Sequence, residues 1–230
     1  MKINWEKPDY QFDNKSVSLW LVNIEEHSSS IANFMVLLDD EEKRRAERFK
    51  FAKDRNCYII SHGALRILLG GCLGRAPGKI KFEINQYGKP TLAEKKQPLY
   101  FNLSHSGARA LIAINKNHPV GVDIECMQKK NSMEDIVKRF FSKHEYEEYK
   151  QLPEEQKLLG FYNGWTRKEA FVKTIGQGIS YSLKKFTVNL TPGDLAKVLS
   201  VGDDVVDVTR WKLYGFVPEK NYCAAVAWAL

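Results

Sequence analysis

The stretch EEQKLLGFYNGWTRKEAFVKTI, Glu154–Ile175, decides how this chain is read. Leu158, Tyr162, Trp165, Glu169 and Val172 recur at spacings of 4, 3, 4 and 3, which is one face of an amphipathic helix. Four of the five are apolar or aromatic, and the fifth is a carboxylate. An unpaired buried carboxylate costs on the order of several kcal/mol, so Glu169 must be neutral, paired or bound to a cation. Lys173, one turn on, offers an i,i+4 ion pair.

The segments around this helix give the architecture. A strand at Val120–Glu125 and helices at Met133–Phe140 and Lys143–Lys150 precede it. Strands at Lys185–Leu190, Arg210–Val217 and Tyr222–Leu230 follow. The first half repeats the order. It has a strand at Val17–Ile24, and a helix at Asp39–Lys50 that starts acidic and ends basic, as a helix dipole prefers. A second helix runs over Asp54–Leu69, with Gly70–Gly71 as its stop. Strands follow at Lys81–Asn85, Tyr100–Ser104 and Ala108–Asn115, with a turn at Gln86–Pro90. Corresponding pieces lie roughly 100–115 positions apart, a pattern repeat without strong side-chain identity. The expected fold class is α+β, with two similar α+β halves arranged as an intramolecular pseudo-dimer. The halves are expected at 1–117 and 118–230, with a ligand cleft between them.

Composition sets the outer bounds. The 230 residues, 43% hydrophobic and 27% charged, can bury a sizeable core without staples. No apolar run approaches the length of a membrane span, and Met1–Tyr10 lacks the apolar core of a secretory leader. Four scattered cysteines without a CxxC pair suit free buried thiols in a cytoplasmic protein. A net charge of +7 favours an anionic partner: nucleic acid, a phosphorylated ligand or an acidic protein.

Glu169 is not the only acid in an odd place. In the strand VGVDIE, Asp123 and Glu125 point to the same side while Val122 and Ile124 point to the other. Two acids on one strand face repel unless a cation lies between them. Asp123, Glu125 and Glu169 together are the hard oxygen set that suits Mg²⁺ or Mn²⁺. Mg²⁺ usually completes its shell with water and substrate phosphates, which points to phosphoanhydride chemistry. FNLSHSG (Phe101–Gly107) sets Ser104, His105 and Ser106 before a glycine turn, a string that can cradle phosphate or simply form a polar hairpin. YGKP presents Lys89, and EKRRAERFK (Glu42–Lys50) carries five basic residues, of which Arg45 is the candidate for an anion. A metal-dependent phosphohydrolase or nuclease fits these residues too, as does a non-catalytic nucleic-acid binder.

In their order and spacing the motifs are similar to those of the Sfp-type 4′-phosphopantetheinyl transferases. GVDIE stands 40 positions before Trp165 of WTRKEAFVK, with YGKP and FNLSHS upstream. The resemblance runs from about Leu19 to the C-terminus. It implies that the 4′-phosphopantetheine arm of coenzyme A moves to a serine of an acidic acyl or peptidyl carrier protein, with 3′,5′-ADP released. It further implies Mg²⁺ on Asp123, Glu125 and Glu169, with Glu169 as general base and Lys173 at the departing phosphate. Lys89, Ser104, His105, Arg45, Lys168 and Lys173 would contact coenzyme A, His105 at the 3′-phosphate. The implied protein is a cytoplasmic monomer that binds neither nucleic acid nor membrane. One departure stands out: the family commonly has an arginine where this chain has Cys57, and Arg55 lies about 200° away around the helix.

Overall fold

The computed structural model describes residues 17–94, 99–202 and 207–230; the Met1–Tyr10 stretch read for a leader lies outside them. In the first half, β1 (Val17–Asn23) leads to α1 (Ile31–Met35), α2 (Asp40–Glu47) and α3 (Ala52–Leu73). A hairpin of β2 (Phe82–Ile84) and β3 (Pro90–Leu92) follows, then β4 (Tyr100–Ser106) and β5 (Arg109–Asn115). The second half runs in parallel: β6 (Val120–Cys126), α4 (Met133–Phe140), α5 (Lys143–Gln151) and α6 (Glu154–Ile175). The hairpin β7 (Phe186–Val188) and β8 (Val198–Val201) precedes β9 (Trp211–Phe216) and β10 (Tyr222–Ala229). Each half closes a three-stranded antiparallel sheet, in the orders β1-β5-β4 and β6-β10-β9. The two orders are the same order, so the chain is an α+β fold of two similar halves.

Strand alternation sorts the core into three parts. Leu19, Leu21, Leu111 and Ala113 of the first sheet meet Val122, Ile124, Ala224 and Val226 of the second, forming the seam between halves. On the outer faces, Trp20 and Val22 pack under α3, and Ala225 and Ala227 pack under α6. The helices therefore flank two sheets that share an apolar centre.

The structure adds α1 to the sequence reading and differs from it in two further places. α3 runs through Gly70–Gly71 and stops only at Gly74, which takes the left-handed conformation at φ 63°. Gly70 is a packing glycine: a Cβ there would lie 2.7 Å from the Arg75 carbonyl oxygen. In each half, moreover, the first predicted strand after the helices does not join the main sheet. It pairs instead with a short strand the sequence pattern did not reveal, Pro90–Leu92 in one half and Val198–Val201 in the other.

Candidate active site

α6 crosses the face of β6 that carries Gly121, Asp123 and Glu125. The approach is so close that a Cβ on Gly121 would sit 2.2 Å from the Ala170 carbonyl oxygen. The glycine of GVDIE is thus what lets the helix descend and present Glu169 and Lys173 to the strand acids. Asp123 is 3% exposed. Its Oδ1 accepts from Lys173 Nζ at 2.7 Å and from Ser104 Oγ at 2.9 Å. Its Oδ2 is buried with no hydrogen-bond partner.

The carboxylates feel one another. Burial, then the Asp123 charge, raises the pKa of Glu169, against the pull of Lys173. Burial and Asp123 likewise raise Glu125, although Ser106 Oγ donates to Glu125 at 2.7 Å. Lys173 therefore stands as the counter-cation of a three-carboxylate cluster. Among the described residues, no group of three or more His, Cys, Asp or Glu side chains is arranged so that it could hold a metal ion as it stands.

β4 supplies the other wall. Asn102, Ser104 and Ser106 alternate on its seam side and dock on the free edge of β6. Asn102 Oδ1 accepts from the Val122 amide at 2.8 Å, and Ser106 Oγ accepts from the Cys126 amide at 3.1 Å. The sequence reading missed Asn102, whose signal is the period-two spacing with Ser104, and took Ser106 as part of a phosphate cradle, whereas its hydroxyl is engaged by Glu125 and the Cys126 amide. The Ser104 hydroxyl already donates to Asp123 and accepts from Lys173, so it does not point a donor at solvent as the phosphate-cradle reading expects. His105, the outward residue of β4, is exposed. Crowding of protein around its ring, then the His62 and Lys173 charges, lowers its pKa.

Two lysines lie elsewhere than expected. Lys168 is fully buried. Its ammonium donates to both Glu145 oxygens, at 2.6 and 2.7 Å, and to the Phe186 carbonyl at 2.7 Å. All three of its N–H groups are thereby used, so Lys168 has none left for coenzyme A, and the motif lysine is a strut between α5, α6 and β7. Lys89 reaches across the seam and donates to the carbonyls of Val120 and Lys173. Burial, then the Lys173 charge, pulls its pKa down to about 8. With Asn85 Nδ2 donating to the Gly176 carbonyl at 3.0 Å, Lys89 ties the YGKP turn to the end of α6. Arg45 does sit on an open surface, its guanidinium 5.6 Å from the Tyr58 ring centroid. A cavity there is lined by Glu41, Arg44, Arg45, Arg48 and Phe49.

Beyond Glu169 a groove of about 690 Å³ opens between α6 and the segment after it. Phe140, Trp165 and Val172 give it apolar walls, and Arg139, Lys173 and Lys184 bring positive charge.

Comparison with known proteins points the same way. The family model "4′-phosphopantetheinyl transferase superfamily" matches residues 119–227, and "4′-phosphopantetheinyl transferase, N-terminal" matches residues 25–117. The 4′-phosphopantetheinyl transferase HetI of Nostoc sp. is 37% identical over 96% of this chain and 90% of its own length. The 4′-phosphopantetheinyl transferase Sfp of Bacillus subtilis is 32% identical over 68% of each chain. The human L-aminoadipate-semialdehyde dehydrogenase-phosphopantetheinyl transferase is 31% identical over 69% of this chain and 54% of its own.

Proposed function

The chain belongs to the 4′-phosphopantetheinyl transferase superfamily and is an enzyme of that kind, and from that premise we propose how its site works. The reaction is transfer of the 4′-phosphopantetheine group from coenzyme A to a serine hydroxyl of an acyl or peptidyl carrier protein. The serine oxygen bonds to the phosphorus that bears the pantetheine arm, and the pyrophosphate bridge breaks. The bridge electrons leave with 3′,5′-ADP.

The observation that carries the proposal is the cluster of Asp123, Glu125 and Glu169 around one lysine at the seam, with Asp123 Oδ2 buried and unpartnered. A buried carboxylate oxygen without a donor is what an oxygen-seeking divalent cation would satisfy, so the residues fit Mg²⁺, with Mn²⁺ as a substitute. Asp123, Glu125 and Glu169 would hold it. When bound, it supplies charge neutralisation on the pyrophosphate.

The chain's own groups do the rest. Glu169, whose raised pKa makes it a stronger base than an ordinary carboxylate, takes the serine proton directly or through one water. Lys173 is then free to leave Asp123 and neutralise the departing phosphate oxygen. Arg45 offers a cationic group, and His105 an imidazole N–H, to the nucleotide phosphates. The apolar groove beside Trp165 shelters the pantetheine arm from water and leads the carrier serine to Glu169. The first half carries the nucleotide contacts and the second carries the metal and base. Each binding site lies within one chain, which suits a monomer. The charge of +7 would steer an acidic carrier toward the seam.

The test is intact-mass spectrometry of apo carrier proteins incubated with coenzyme A, Mg²⁺ and this protein. The expected result is a gain of one phosphopantetheine, about 340 Da by composition, lost when a chelator removes Mg²⁺. No gain on any acyl or peptidyl carrier, together with phosphate release from nucleic acid, would favour the hydrolase reading instead.

A further inference from the structure

α6 ends where the two halves meet. Lys173, Thr174 and Ile175 close it, and Gly176 caps it in the left-handed conformation at φ 75°. The last carbonyls of a helix have no intrahelical amide to accept from, and a final turn left in that state frays. Here the first half supplies donors. Lys89 Nζ donates to the Lys173 carbonyl, and Asn85 Nδ2 donates to the Gly176 carbonyl at 3.0 Å. Lys89 also donates to the Val120 carbonyl at 3.1 Å, where β6 begins. The tie lies beside the closest approach of helix to strand, for a Cβ on Gly121 would stand 2.8 Å from the Lys173 carbonyl carbon. Thr174 holds the sheet side of the turn to the Ala227 carbonyl of β10 at 2.9 Å; the Lys173 and Gly176 carbonyls are left to Lys89 and Asn85.

The donors are themselves held in place. Asn85 Oδ1 accepts from the Tyr87 and Lys89 amides, both at 2.9 Å, and the Asn85 amide donates to the Lys89 carbonyl at 3.0 Å. The turn lies against the glycines that follow α6. A Cβ on Gly176 would stand 3.2 Å from Lys89 Cδ, and one on Gly178 would stand 3.3 Å from the Tyr87 carbonyl oxygen. An ammonium at a helix C-terminus also suits the helix dipole. The β2–β3 turn of one half is thus a C-cap for the long helix of the other.

The residue that this cap secures is Lys173. Glu169 stands one turn further in, within the helical ladder. Lys173 stands in the final turn, and its Nζ reaches Asp123 and Ser104 only while that turn stays wound. We infer, resting on the transfer reaction proposed above, that Lys89 is a positioning residue for Lys173. By capping α6 from the first half, it sets where the Lys173 ammonium stands when the pyrophosphate bridge breaks. The resemblance assigns Lys89 to coenzyme A, whereas its two hydrogen bonds hold the helix.

Steady-state transfer to an apo carrier by Lys89→Met, made in wild type and in Lys173→Ala, tests it. In wild type the substitution should lower kcat about 10- to 100-fold, as for a misplaced reacting group, and change KM for coenzyme A less than about twofold. In Lys173→Ala it should lower kcat less than about twofold, because the group it positions is gone. Hydrogen exchange at the Thr174–Gly176 amides should speed up in Lys89→Met while the Glu169 amide stays protected. A melting curve shows whether Lys89→Met folds; if it does not, Asn85→Ala, which removes the Gly176 tie, carries the same cycle with a smaller fall in kcat. An unchanged kcat, equal falls in the two backgrounds, unchanged exchange, or a raised KM for coenzyme A that 3′-dephospho-coenzyme A does not share would overturn the role of Lys89 and leave the transferase standing. Wild-type protein that modifies no carrier overturns both.

Discussion

The two halves of the molecule share one internal brace and differ at one face. In the first half, Asp39 caps α2 and Glu42 closes the capping box. Glu42 then accepts from the fully buried Arg66 of α3 at 2.7 Å, and Arg66 also donates to the Ile80 carbonyl. In the second half, Ser142 caps α5 and Glu145 closes the box. Glu145 accepts from the fully buried Lys168 of α6, which also donates to the Phe186 carbonyl. A capping-box glutamate, a buried cation on the long helix and a carbonyl at the entry to the hairpin thus recur in both halves.

The faces of the long helices toward the sheets do not match in this way. Where β6 has Asp123 and Glu125, β1 has Trp20 and Val22, packed in the core under α3. Where α6 has Glu169, α3 has Ile67 against the same core. One copy of the unit keeps an apolar helix–sheet contact, while the other opens that contact into an acidic cluster with Lys173 among it. The scaffold is common to both halves, and the proposed chemistry rests on the substitutions that only one of them carries.

The largest expected effect breaks the difference itself. Glu169→Gln or Asp123→Ala should lower turnover by about 10³-fold, as expected for losing a general base or a cation ligand. Glu169→Gln should at the same time melt at an equal or higher temperature in metal-free buffer. The reason is the sign of its linkage: a carboxylate whose folded pKa is raised loses stability as pH rises through the window above its unfolded value. Removing the charge removes that loss. A variant that kept near-normal turnover, or that melted far lower, would place Glu169 in the fold rather than in the chemistry.

The brace predicts a stability effect in both halves. Lys168→Met leaves the buried Glu145 carboxylate without a counter-charge and should destabilise by about 3–5 kcal/mol in denaturant titrations, while Arg66→Met, whose Glu42 keeps His62 as a partner, should cost less. An unchanged unfolding midpoint for Lys168→Met, with a raised KM for coenzyme A, would return Lys168 to the phosphate-binding role that its burial denies. Gly121→Ala should cost about 1–3 kcal/mol and lower turnover as well, because the added methyl pushes α6 and Glu169 off β6. Ser106→Ala should have the smallest effect, about 1 kcal/mol by thermal melting, from the lost hydrogen bonds to Glu125 and to the Cys126 amide.

Much of this was legible in the sequence. α4 and α6 lie where the helical pattern placed them, because the residues that can face a core recur at that spacing. The acids stood out because each was a charge in a position that alternation or helical spacing turns inward. The role of Lys168 was not legible in that way. A basic residue beside a candidate catalytic glutamate reads as an anion ligand, and only the tertiary fold shows that Glu145, on another helix, accepts its hydrogen bonds. The capping boxes at Asp39 and Ser142 are nonetheless visible in the sequence as a repeated cap-x-x-Glu. The short strands β3 and β8 were hidden because three or four residues carry too little alternation to count. The ties of β4 to β6 depend on long-range pairing that no local pattern encodes.

The central claim is that the acidic face of the second half is a divalent-cation site now braced by Lys173. Electron paramagnetic resonance of free Mn²⁺, titrated with protein in the presence of coenzyme A, tests it most directly. Wild type should remove one Mn²⁺ per chain, and Asp123→Ala, folded by its melting curve, should remove none. Equal Mn²⁺ binding by the two proteins would contradict the account.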